Sequence, residues 1–482
     1  MKFYITTSIA YANGSPHIGF ALESIQADVL ARYHRQKGDE VFFLTGTDEH
    51  GTKIYKTAQK AGKDTQKFVD EISEEFKGLK SVLNLSWGDF IRTTDQKKHW
   101  PAVFEIWKKL DEKKLIEARE FEGLYCIGCE SFKLVKDLVD GKCPEHLVEP
   151  EKIKEKNYFF KLSEFGNNLK QKIESDEIKI IPQSRKNEVL SFINQGLTDI
   201  SISRPKEKLP WGISVPGDDS QVIYVWIDAL TNYISALGFG NENNENFKKF
   251  WPADVHCIGK DILRFHAVIW PAILMACELQ LPKNIFVHGH ITSGNQKMSK
   301  SLGNVISPVE LVNKYGADAV RYYLLREIPS IEDGDYSEEK FINRYNGDLA
   351  NGLGNFSARV LTLASREVNL QINTDNTNKE ISSTEKVVEQ KISEFKFNEA
   401  IEAIWKLISF GDIYINQEKP WGNTNVKEKN DVIVRLVLIL EHVAKLIIPF
   451  LPETSKKILE SIKHEGNIIK INKGENLFQR IN

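Results

Sequence analysis

The chain has 482 residues, a formal net charge of −3 at pH 7 and five cysteines. This length exceeds what one hydrophobic core supports, so roughly two to four domains are expected. Hydrophobic residues at 41% and charged residues at 27% match folded, water-soluble proteins and exclude a disordered chain. Five cysteines exclude a disulfide scaffold, whereas the net charge excludes no partner, because basic patches that bind nucleic acid are local.

The N-terminus and the most apolar stretch argue against export and membrane insertion. An apolar run begins almost at once, at 3–9, without the basic region and cleavage site of a signal peptide. The stretch 432–451 contains Arg435, Glu441 and Lys445, which a membrane-spanning helix would rarely carry together. We therefore expect a cytoplasmic protein without a membrane partner.

The first part of the chain alternates strand and helix patterns. Apolar runs at 3–8 and 41–44 flank a helical pattern that begins at about Ile18, as in a βαβ unit. Strand, helix and strand patterns return in three later segments, 255–259, 262–277 and 285–291. This organisation predicts one α/β domain whose two halves are separated by an insertion.

The insertion and the end of the chain have other patterns. The insertion has Cys-rich, Lys/Glu-rich and Pro/Gly-rich portions without a βαβ repeat. The last part is helical to the end, apart from an Asn/Thr/Ser-rich stretch, 369–384, that predicts an exposed loop. We therefore predict four segments, namely the first α/β half at 1–114, an inserted domain at 115–220, the second α/β half at 221–335 and a helical domain at 336–482.

The junction between the first strand and the first helix, 11–19 (YANGSPHIG), suits a phosphate group. Helix N-termini present unpaired amides and the positive end of the helix dipole. Pro16 favours a helix start, Gly19 leaves backbone room, and His17 can add a side-chain donor. A histidine after proline is also a common helix cap or surface residue, so both interpretations stay open.

Two knuckle-like pairs of metal ligands lie in the inserted segment. The four residues are Cys126, Cys129, Cys143 and His146. Two residues separate the members of each pair, a spacing that brings four soft ligands to one tetrahedral zinc ion. A site with four protein ligands is closed, so its role would be structural. The alternative is that buried thiols lie close together by chance. Cys257 and Cys277 occur in apolar segments and are expected to be packing residues.

The run 297–301 (KMSKS) is a second phosphate candidate. Two lysines, Lys297 and Lys300, on a flexible loop can balance the charge of a triphosphate. From the residues alone, however, such a run is more often a solvated turn.

The helical segment carries a polar stripe. Asn351, Asn355 and Arg359 are spaced four residues apart, so they fall within about 80° on one helix face. The apolar residues on the opposite side are Leu349, Leu353, Phe356 and Val360. The stripe is suited to hydrogen bonding unstacked RNA bases, or it is a plain solvated face.

The two phosphate candidates resemble the signatures of the class I aminoacyl-tRNA synthetases, 16–19 (PHIG) the first and 297–301 the second. In that family the signatures flank one Rossmann-type site, which condenses an amino acid with ATP and then passes the aminoacyl group to tRNA. The resemblance implies that Lys300, supported by Lys297 and His17, holds the phosphates, and that Mg²⁺ accompanies ATP. One departure is Phe20, where the family has a second histidine.

Three further segments resemble the methionyl-tRNA synthetase family, namely 45–51 (TGTDEHG), 224–229 (YVWIDA) and 259–266 (GKDILRFH). The resemblance implies a methionine pocket in which the carboxylate of Asp48 holds the ammonium group. The other implied members are Ile9, Tyr11, Trp226, Ala229, Tyr233, Ile262 and His266. Aromatic contacts suit a thioether, but from spacing alone Trp226 and Tyr233 fit ordinary core aromatics better.

The same resemblance implies the remaining partners. The implied ATP contacts are Asn13, His17, Gly19, Asp261, Lys297 and Lys300. Trp421, after Pro420, would join the polar stripe in reading the CAU anticodon of tRNA(Met). The implied enzyme is a monomer with one structural Zn²⁺. The resemblance is weaker to the leucine, isoleucine and valine types, because they carry a larger insertion. It is also weaker to the cysteine type, because that type places zinc in its substrate pocket. The alternative from another class is a non-catalytic tRNA-binding protein derived from a class I synthetase, which only Phe20 supports.

Overall fold

The structure is a computed structural model. It describes residues 1–127, 131–133, 135, 138–144, 147–294, 296–298, 304–367, 370–372 and 379–481. The chain divides into two compact units. The first comprises Met1–Pro16, Gly38–Lys80 and Ser86–Val287, and the second comprises His17–Lys37, Ser81–Leu85 and His288–Asn482.

The helices of the described residues include α1 (Ile18–Gln36), α2 (Thr52–Lys60), α3 (Thr65–Val82), α4 (Trp100–Glu112), α5 (Gly166–Glu174), α6 (Gln183–Asn194), α7 (Val225–Ser235), α8 (Glu245–Phe250), α9 (Trp270–Ala276), α10 (Pro308–Tyr315), α11 (Ala317–Arg326), α12 (Glu338–Arg344), α13 (Asn355–Ala364), α14 (Lys379–Ser393), α15 (Phe397–Glu418), α16 (Val426–Leu446) and α17 (Pro452–Glu460).

The strands of the described residues include β1 (Lys2–Thr7), β2 (Ala10–Tyr11), β3 (Glu40–Asp48), β4 (Asp89–Arg92), β5 (Ile116–Cys126), β6 (Ser131–Lys133), β7 (Glu151–Phe160), β8 (Lys179–Ile181), β9 (Ile200–Ser201), β10 (Ser203–Pro205), β11 (Ser214–Val215), β12 (Asp218–Ile223), β13 (Val255–Gly259), β14 (Asn284–His288), β15 (Ile291–Ser293), β16 (Gln296–Lys297), β17 (Gly334–Tyr336), β18 (Leu370–Gln371), β19 (Ile462–Glu465) and β20 (Ile468–Ile471).

The main sheet of the first unit is the predicted α/β core. Within the described ranges its strand order is β2-β3-β1-β13-β14-β8, with β4 paired to β3. Strand β1 pairs in parallel with both β3 and β13. Five of its six residues are buried, because a strand inside a parallel sheet is covered on both faces. Strands β1 and β3 belong to the first predicted half and β13 belongs to the second. The prediction of one sheet from two separated halves is therefore confirmed.

The segment predicted to be an insertion contains antiparallel strands. Strands β6, β5, β7 and β9 follow one another in one sheet, and β10, β12 and β11 in another. Strand β8 lies inside the same segment, yet it pairs in parallel with β14 of the main sheet. Strand β8 is three residues long, and its pairing to β14 is decided by tertiary contact, which the local sequence pattern did not reveal.

Residues 336–482, which belong to the second unit, are mainly helical, as predicted, but they also contain short strands. Strands β18, β20 and β19 form a small sheet, so the prediction of helices to the end of the chain was wrong there. The exposed loop predicted at 369–384 was also wrong in part, because it overlaps β18 and the first turns of α14. Residues 369 and 373–378 of that loop lie outside the described residues.

The strand predicted at 285–291 is broken at Gly289. Strand β14 ends at His288, and β15 begins at Ile291 in a different sheet. A Cβ atom on Gly289 would lie 2.0 Å from the backbone oxygen of Glu332, so the close approach of that segment requires glycine. The helical run predicted at 262–277 also includes a π-helical turn, Phe265–Ile269, before α9.

None of the helices in the described part of the chain is both long and apolar enough to cross a membrane.

Candidate active site

Four predicted pocket residues lie in one apolar cluster of the first unit. Ala229 is buried there with Tyr125 and Tyr224, and the partly buried residues packed against them include Ile9, Tyr11 and Trp226. Tyr11 lies on β2, and the helix α7 carries Trp226 and Ala229. The phenol oxygens of Tyr125 and Tyr224 are 2.7 Å apart, which fixes both rings. The structure therefore brings together residues more than 200 positions apart in the sequence.

The aromatic wall of this cluster includes a residue that sequence reasoning did not single out. The ring of Trp226 stacks on the ring of Phe265, with centroids 3.4 Å apart and planes 10° apart. Phe265 opens the π-helical turn that also contains His266. The motif 259–266 contained Phe265, but its partner could not be read from the sequence. A flat aromatic surface of this kind suits a polarizable thioether.

Tyr233 and His266 form a buried hydrogen-bonded pair. His266 Nδ1 is 2.9 Å from the backbone oxygen of Ile262, and because a carbonyl only accepts, Nδ1 must carry a hydrogen. In the neutral imidazole Nε2 is then an acceptor, so the Tyr233 hydroxyl donates to His266 Nε2 over 2.6 Å. Tyr4 in turn donates its hydroxyl to the backbone oxygen of Tyr233 at 2.6 Å. Both members of the pair are thus held in one orientation.

Asp48 ends strand β3 and is 4% exposed. It lies opposite Tyr11 in the register of β2 and β3, and its backbone oxygen accepts from the amide of Ala12 at 2.8 Å. The amide of His50 lies 3.5 Å from Asp48 Oδ1. A carboxylate at the carboxyl end of a parallel strand, beside the apolar cluster, is suited to a small cation such as an ammonium group.

Arg204 on β10 is a second residue that sequence reasoning missed. Its side chain is 6% exposed, its guanidinium lies 4.3 Å from the Tyr125 ring centroid, and Nη2 donates to Glu155 Oε1 at 2.8 Å. Among the described residues, its buried Nε and Nη1 atoms have no hydrogen-bond partner. Buried donors without partners are costly, and the contact with Glu155 balances only the charge of this arginine.

His17 caps helix α1 in the second unit. Its Nδ1 accepts from the amide of Gly19 at 3.1 Å, so Nε2 carries the hydrogen in the neutral ring. The cap interpretation is therefore correct, and the side chain is exposed. A Cβ on Gly19 would lie 2.9 Å from His17 Cε1, which shows that Gly19 makes room for the imidazole. Phe20 follows within the helix.

The two signature segments are linked inside the second unit. The amide of Ile18 donates to the backbone oxygen of Ile306 at 3.1 Å, just beyond the second signature. Strands β15 and β16 pair in antiparallel orientation where the second signature begins, with Thr292 opposite Lys297. His288 and Glu23 of α1 form a buried pair, with Nε2 and Oε2 2.9 Å apart. Lys300 and the side chain of Lys297 lie outside the described part of the structure.

The other predicted ATP contacts of the first unit have polar surroundings. The side-chain amide of Asn13 is oriented so that its oxygen accepts from Lys53 Nζ at 3.2 Å and its nitrogen donates to the backbone oxygen of Tyr11 at 3.3 Å. Asp261 is exposed on a short 3₁₀ turn, Lys260–Ile262, directly after β13. Both positions leave polar atoms near strand ends, where α/β proteins bind ligands.

The two asparagines of the polar stripe in the second unit are exposed, Arg359 is half-buried, and the apolar counterpart of the stripe is buried. Asn351 and Asn355 are exposed, whereas Leu349, Leu353, Phe356 and Val360 are at most 1% exposed. Asn351 lies in a π-helical segment, Tyr345–Gly354, rather than in a regular α-helix. Arg359 donates to Asp412 Oδ1 at 2.9 Å and to Asn416 Oδ1 at 2.6 Å, both on α15. Trp421, five residues after Asn416, is 58% exposed.

Two of the four proposed zinc ligands can be described. Cys126 ends β5, and Cys126 and Cys143 are both fully buried. The amide of Leu147 donates to the backbone oxygen of Cys143 at 2.7 Å. Cys129 and His146 lie outside the described residues, and among the described ones no group of three potential ligands is positioned to hold a metal. Burial raises the pKa of the Cys277 thiol to about 12, consistent with its predicted packing role.

Family models match most of the chain. The model for tRNA synthetases class I (M) matches residues 3–153 and 145–361, and the model for the anticodon-binding domain of tRNA ligase matches residues 377–475.

Curated relatives and solved structures agree with these matches. Methionine–tRNA ligase of Clostridium perfringens (strain 13 / Type A) is 46% identical over 505 residues, covering 99% of this chain and 78% of the relative. The enzyme of Thermotoga maritima with the same name is 41% identical, covering 96% and 76%. The structure of Mycobacterium tuberculosis methionyl-tRNA synthetase in complex with methionyl-adenylate has a TM-score of 0.92 at 35% identity, covering 99% of this chain and 100% of that chain.

Proposed function

The chain belongs to the methionine–tRNA ligase family of class I tRNA synthetases, and from this premise we propose which of its residues carry the reaction. The reaction is the ATP-dependent activation of L-methionine to methionyl-adenylate, with release of pyrophosphate. Transfer of the methionyl group to tRNA(Met) follows, with release of AMP. The comparisons give no support to the alternative of a non-catalytic tRNA-binding protein.

The observation that carries this proposal is the cluster of Ile9, Tyr11, Trp226 and Ala229 beside the buried carboxylate of Asp48. An apolar, aromatic pocket selects the thioether side chain by shape and by sulfur–aromatic contact. A carboxylate at its edge selects the α-ammonium group. The pair of Tyr233 and His266, with Ile262 holding the imidazole, completes the proposed pocket.

In the first step a carboxylate oxygen of methionine attacks the α-phosphorus of ATP, and pyrophosphate leaves. This carboxylate is ionised at neutral pH, so the step requires no general base. The protein positions the reactants and stabilises negative charge. Arg204 is a further residue for this role, because the buried N–H groups on its Nε and Nη1 atoms would suit a planar carboxylate or a phosphate.

We assign the phosphates of ATP to His17, Lys297 and Lys300, with Asn13, Gly19 and Asp261 as further nucleotide contacts. Support comes from the position of His17 as the N-cap of α1, where its exposed imidazole lies at the positive end of the helix dipole. Mg²⁺ enters with ATP and shields its phosphate charge. Phe20 removes one donor that the family signature has, so the remaining donors carry more of the transition-state stabilisation.

The anticodon of tRNA(Met) is assigned to Asn351, Asn355, Arg359 and Trp421. Two exposed amides and one exposed indole can hydrogen-bond and stack with unpaired bases. Asp412 and Asn416 hold the guanidinium of Arg359 in one orientation, which reduces the entropy lost on binding.

A structural zinc ion is proposed for Cys126, Cys129, Cys143 and His146. The described cysteines, Cys126 and Cys143, fit this ion, because both are buried thiols and each comes from a different predicted ligand pair. Zinc held by four protein ligands contributes folding energy and no chemistry. The boundaries of the inserted domain at 115–220, the cytoplasmic location and the monomeric state stay predictions.

The experiment that tests the function is ATP/pyrophosphate exchange on the purified, zinc-replete enzyme. Methionine should support exchange, whereas leucine, isoleucine, valine and cysteine at the same concentration should not. Exchange with one of these other amino acids and none with methionine would overturn the assigned substrate. Folded protein that binds tRNA and exchanges with no amino acid would instead favour the non-catalytic alternative.

A second experiment tests the role of Arg204. Arg204→Gln removes the charge and should lower the rate of exchange by roughly a hundredfold, the loss typical of one preorganised oxyanion donor. Arg204→Lys keeps the charge but loses the fork of donors, so it should recover only part of the rate. Equal rates for wild type and both variants would show that the orphaned donors meet no reacting anion.

A further inference from the structure

Asp228 is a fully buried carboxylate that the proposed reaction leaves unexplained. Its Oδ2 accepts from His50 Nδ1 at 2.6 Å, and its Oδ1 accepts from His99 Nε2 at 2.8 Å. Both histidines are at most 3% exposed. His99 Nδ1 lies 2.8 Å from Ser235 Oγ at the other end of helix α7. Three elements therefore meet at one carboxylate, namely α7, the segment after β3 and the start of α4.

Helix α7 has two faces with different roles. Trp226, Ala229 and Tyr233 are spaced by three and four residues, so they share the face proposed to contact methionine. Asp228 and Ser235 are seven residues apart and share a face that lies about 180° from Trp226, at 100° per residue. The hydrogen bonds that His50 and His99 make to Asp228 and Ser235 are thus on the side of α7 away from the pocket. Those contacts fix the rotation of the helix about its axis.

The same contacts reach the proposed ammonium site. His50 lies two residues after Asp48, and its backbone amide is 3.5 Å from Asp48 Oδ1. The side chain of His50 is held by Asp228 across 178 residues of sequence. One carboxylate on α7 therefore restrains both the helix that presents the aromatic pocket and the segment that presents Asp48.

We propose that Asp228, through His50 and His99, is a positioning residue that holds the aromatic face of α7 and the carboxylate of Asp48 at a fixed separation. Methionine is then recognised at both ends at once, because its ammonium group and its thioether are a fixed number of bonds apart. This inference rests on the proposed function, since it concerns the same pocket. It adds Asp228 as a specificity-determining residue that contacts neither methionine nor ATP.

The electrostatics of the site favour a carboxylate that is charged at neutral pH. Burial alone would raise the pKa of the Asp228 carboxyl, but His50 and His99 outweigh it and hold the pKa below the ordinary value. Because Asp228 is ionised, both facing imidazole nitrogens must carry hydrogens. An asparagine there would present its amide N–H₂ group to one of these donors, so at least one contact would be lost.

The test is Asp228→Asn, compared with wild type in ATP/pyrophosphate exchange. The KM for methionine should rise by roughly tenfold, equivalent to about 1.4 kcal/mol, while the KM for ATP changes by less than about twofold. The matched control is Thr231→Val, since Thr231 is equally buried on α7 and, in the described part of the chain, its hydroxyl donates to the backbone of Ile227 within the helix. This control should keep both KM values within about twofold of wild type.

A binding measurement separates positioning from general damage. Calorimetry with methionine and with its des-amino analogue gives the affinity contributed by the ammonium group. This contribution should shrink in Asp228→Asn, because Asp48 is no longer held. A purely structural role would lower both affinities equally and leave their ratio unchanged, which would overturn the proposal.

Two milder variants keep the test available if Asp228→Asn does not fold. His50→Gln and His99→Gln each remove one of the two contacts, and each should raise the KM for methionine in the same selective way. Parallel increases in both KM values, or no change in either from folded protein, would refute the proposal. Failure of the proposed function itself is distinguishable, because wild type would then show no methionine-dependent exchange.

Discussion

Replacement of Gly19 by alanine is a sharp test of how the first signature works. The new Cβ would lie 2.9 Å from His17 Cε1 and 3.0 Å from Nδ1. Carbon atoms in ordinary contact are about 3.5 to 4.0 Å apart, so the imidazole must move by about 0.6 Å or more. That movement breaks the 3.1 Å hydrogen bond from the Gly19 amide to His17 Nδ1. It also turns Nε2 away from its proposed phosphate.

The expected effect falls on catalysis rather than on stability. The lost cap contact costs about 1 kcal/mol, which the higher helix propensity of alanine offsets by up to about 1 kcal/mol. Misplacing one donor to the transition state should lower kcat in exchange by roughly a hundredfold. The KM for methionine should not change. Gly78→Ala in α3 is the matched control, since its Cβ meets no atom within 4 Å and its φ is not in the left-handed region.

A double-mutant cycle decides whether the effect passes through His17. If it does, adding Gly19→Ala to His17→Ala should cause no further loss of exchange, because the displaced ring is already gone. Independent, multiplicative losses would refute the assigned role of Gly19. Unchanged kcat in the single variant would refute the role of His17 itself.

Three further predictions concern the other sites. Lys300→Ala should abolish exchange while methionine binding measured by calorimetry persists, and equal loss of both would contradict the assignment of Lys300 to the phosphates. Trp421→Ala should impair charging of tRNA(Met) by roughly tenfold or more while exchange stays near wild type, because stacking on one base is worth about 1 to 3 kcal/mol; unchanged charging would remove Trp421 from the anticodon site. His50 and His99 lower the pKa of Asp228 despite its burial, so its contribution to stability is present above the unfolded-state pKa of about 3.9 and is lost as pH falls through the folded-state value. Thermal unfolding of wild type should therefore fall more steeply below about pH 4 than that of Asp228→Asn, and parallel curves would contradict a charged Asp228.

Much of the fold follows from local sequence patterns. The apolar run at 3–8 became β1, the helical pattern from Ile18 became α1, and the run at 255–259 became β13 with the same limits. These features are local, because strand and helix periodicities depend on neighbours a few positions away. The break at Gly289 was missed, since the segment that forces it, at Glu332, is 43 residues farther along the chain.

The candidate site shows the same division. Motif resemblance supplied Asp48, Trp226, Tyr233 and His266, and the structure brings each into a buried, hydrogen-bonded or stacked setting in the first unit. Arg204 had no motif signal, because a single arginine on a strand is unremarkable until its unsatisfied donors and its Tyr125 contact are seen.

The sequence by itself determined the family, the split α/β core and the identity of most chemical groups, because those are written in short motifs and local periodicity. Only the tertiary structure decided which groups touch. Asp228 and His50 are 178 residues apart, and β8 lies inside the predicted insertion but pairs with the main sheet. Such contacts depend on strand register and on the way in which long connecting segments bring distant residues together. No window of neighbouring residues encodes either of these.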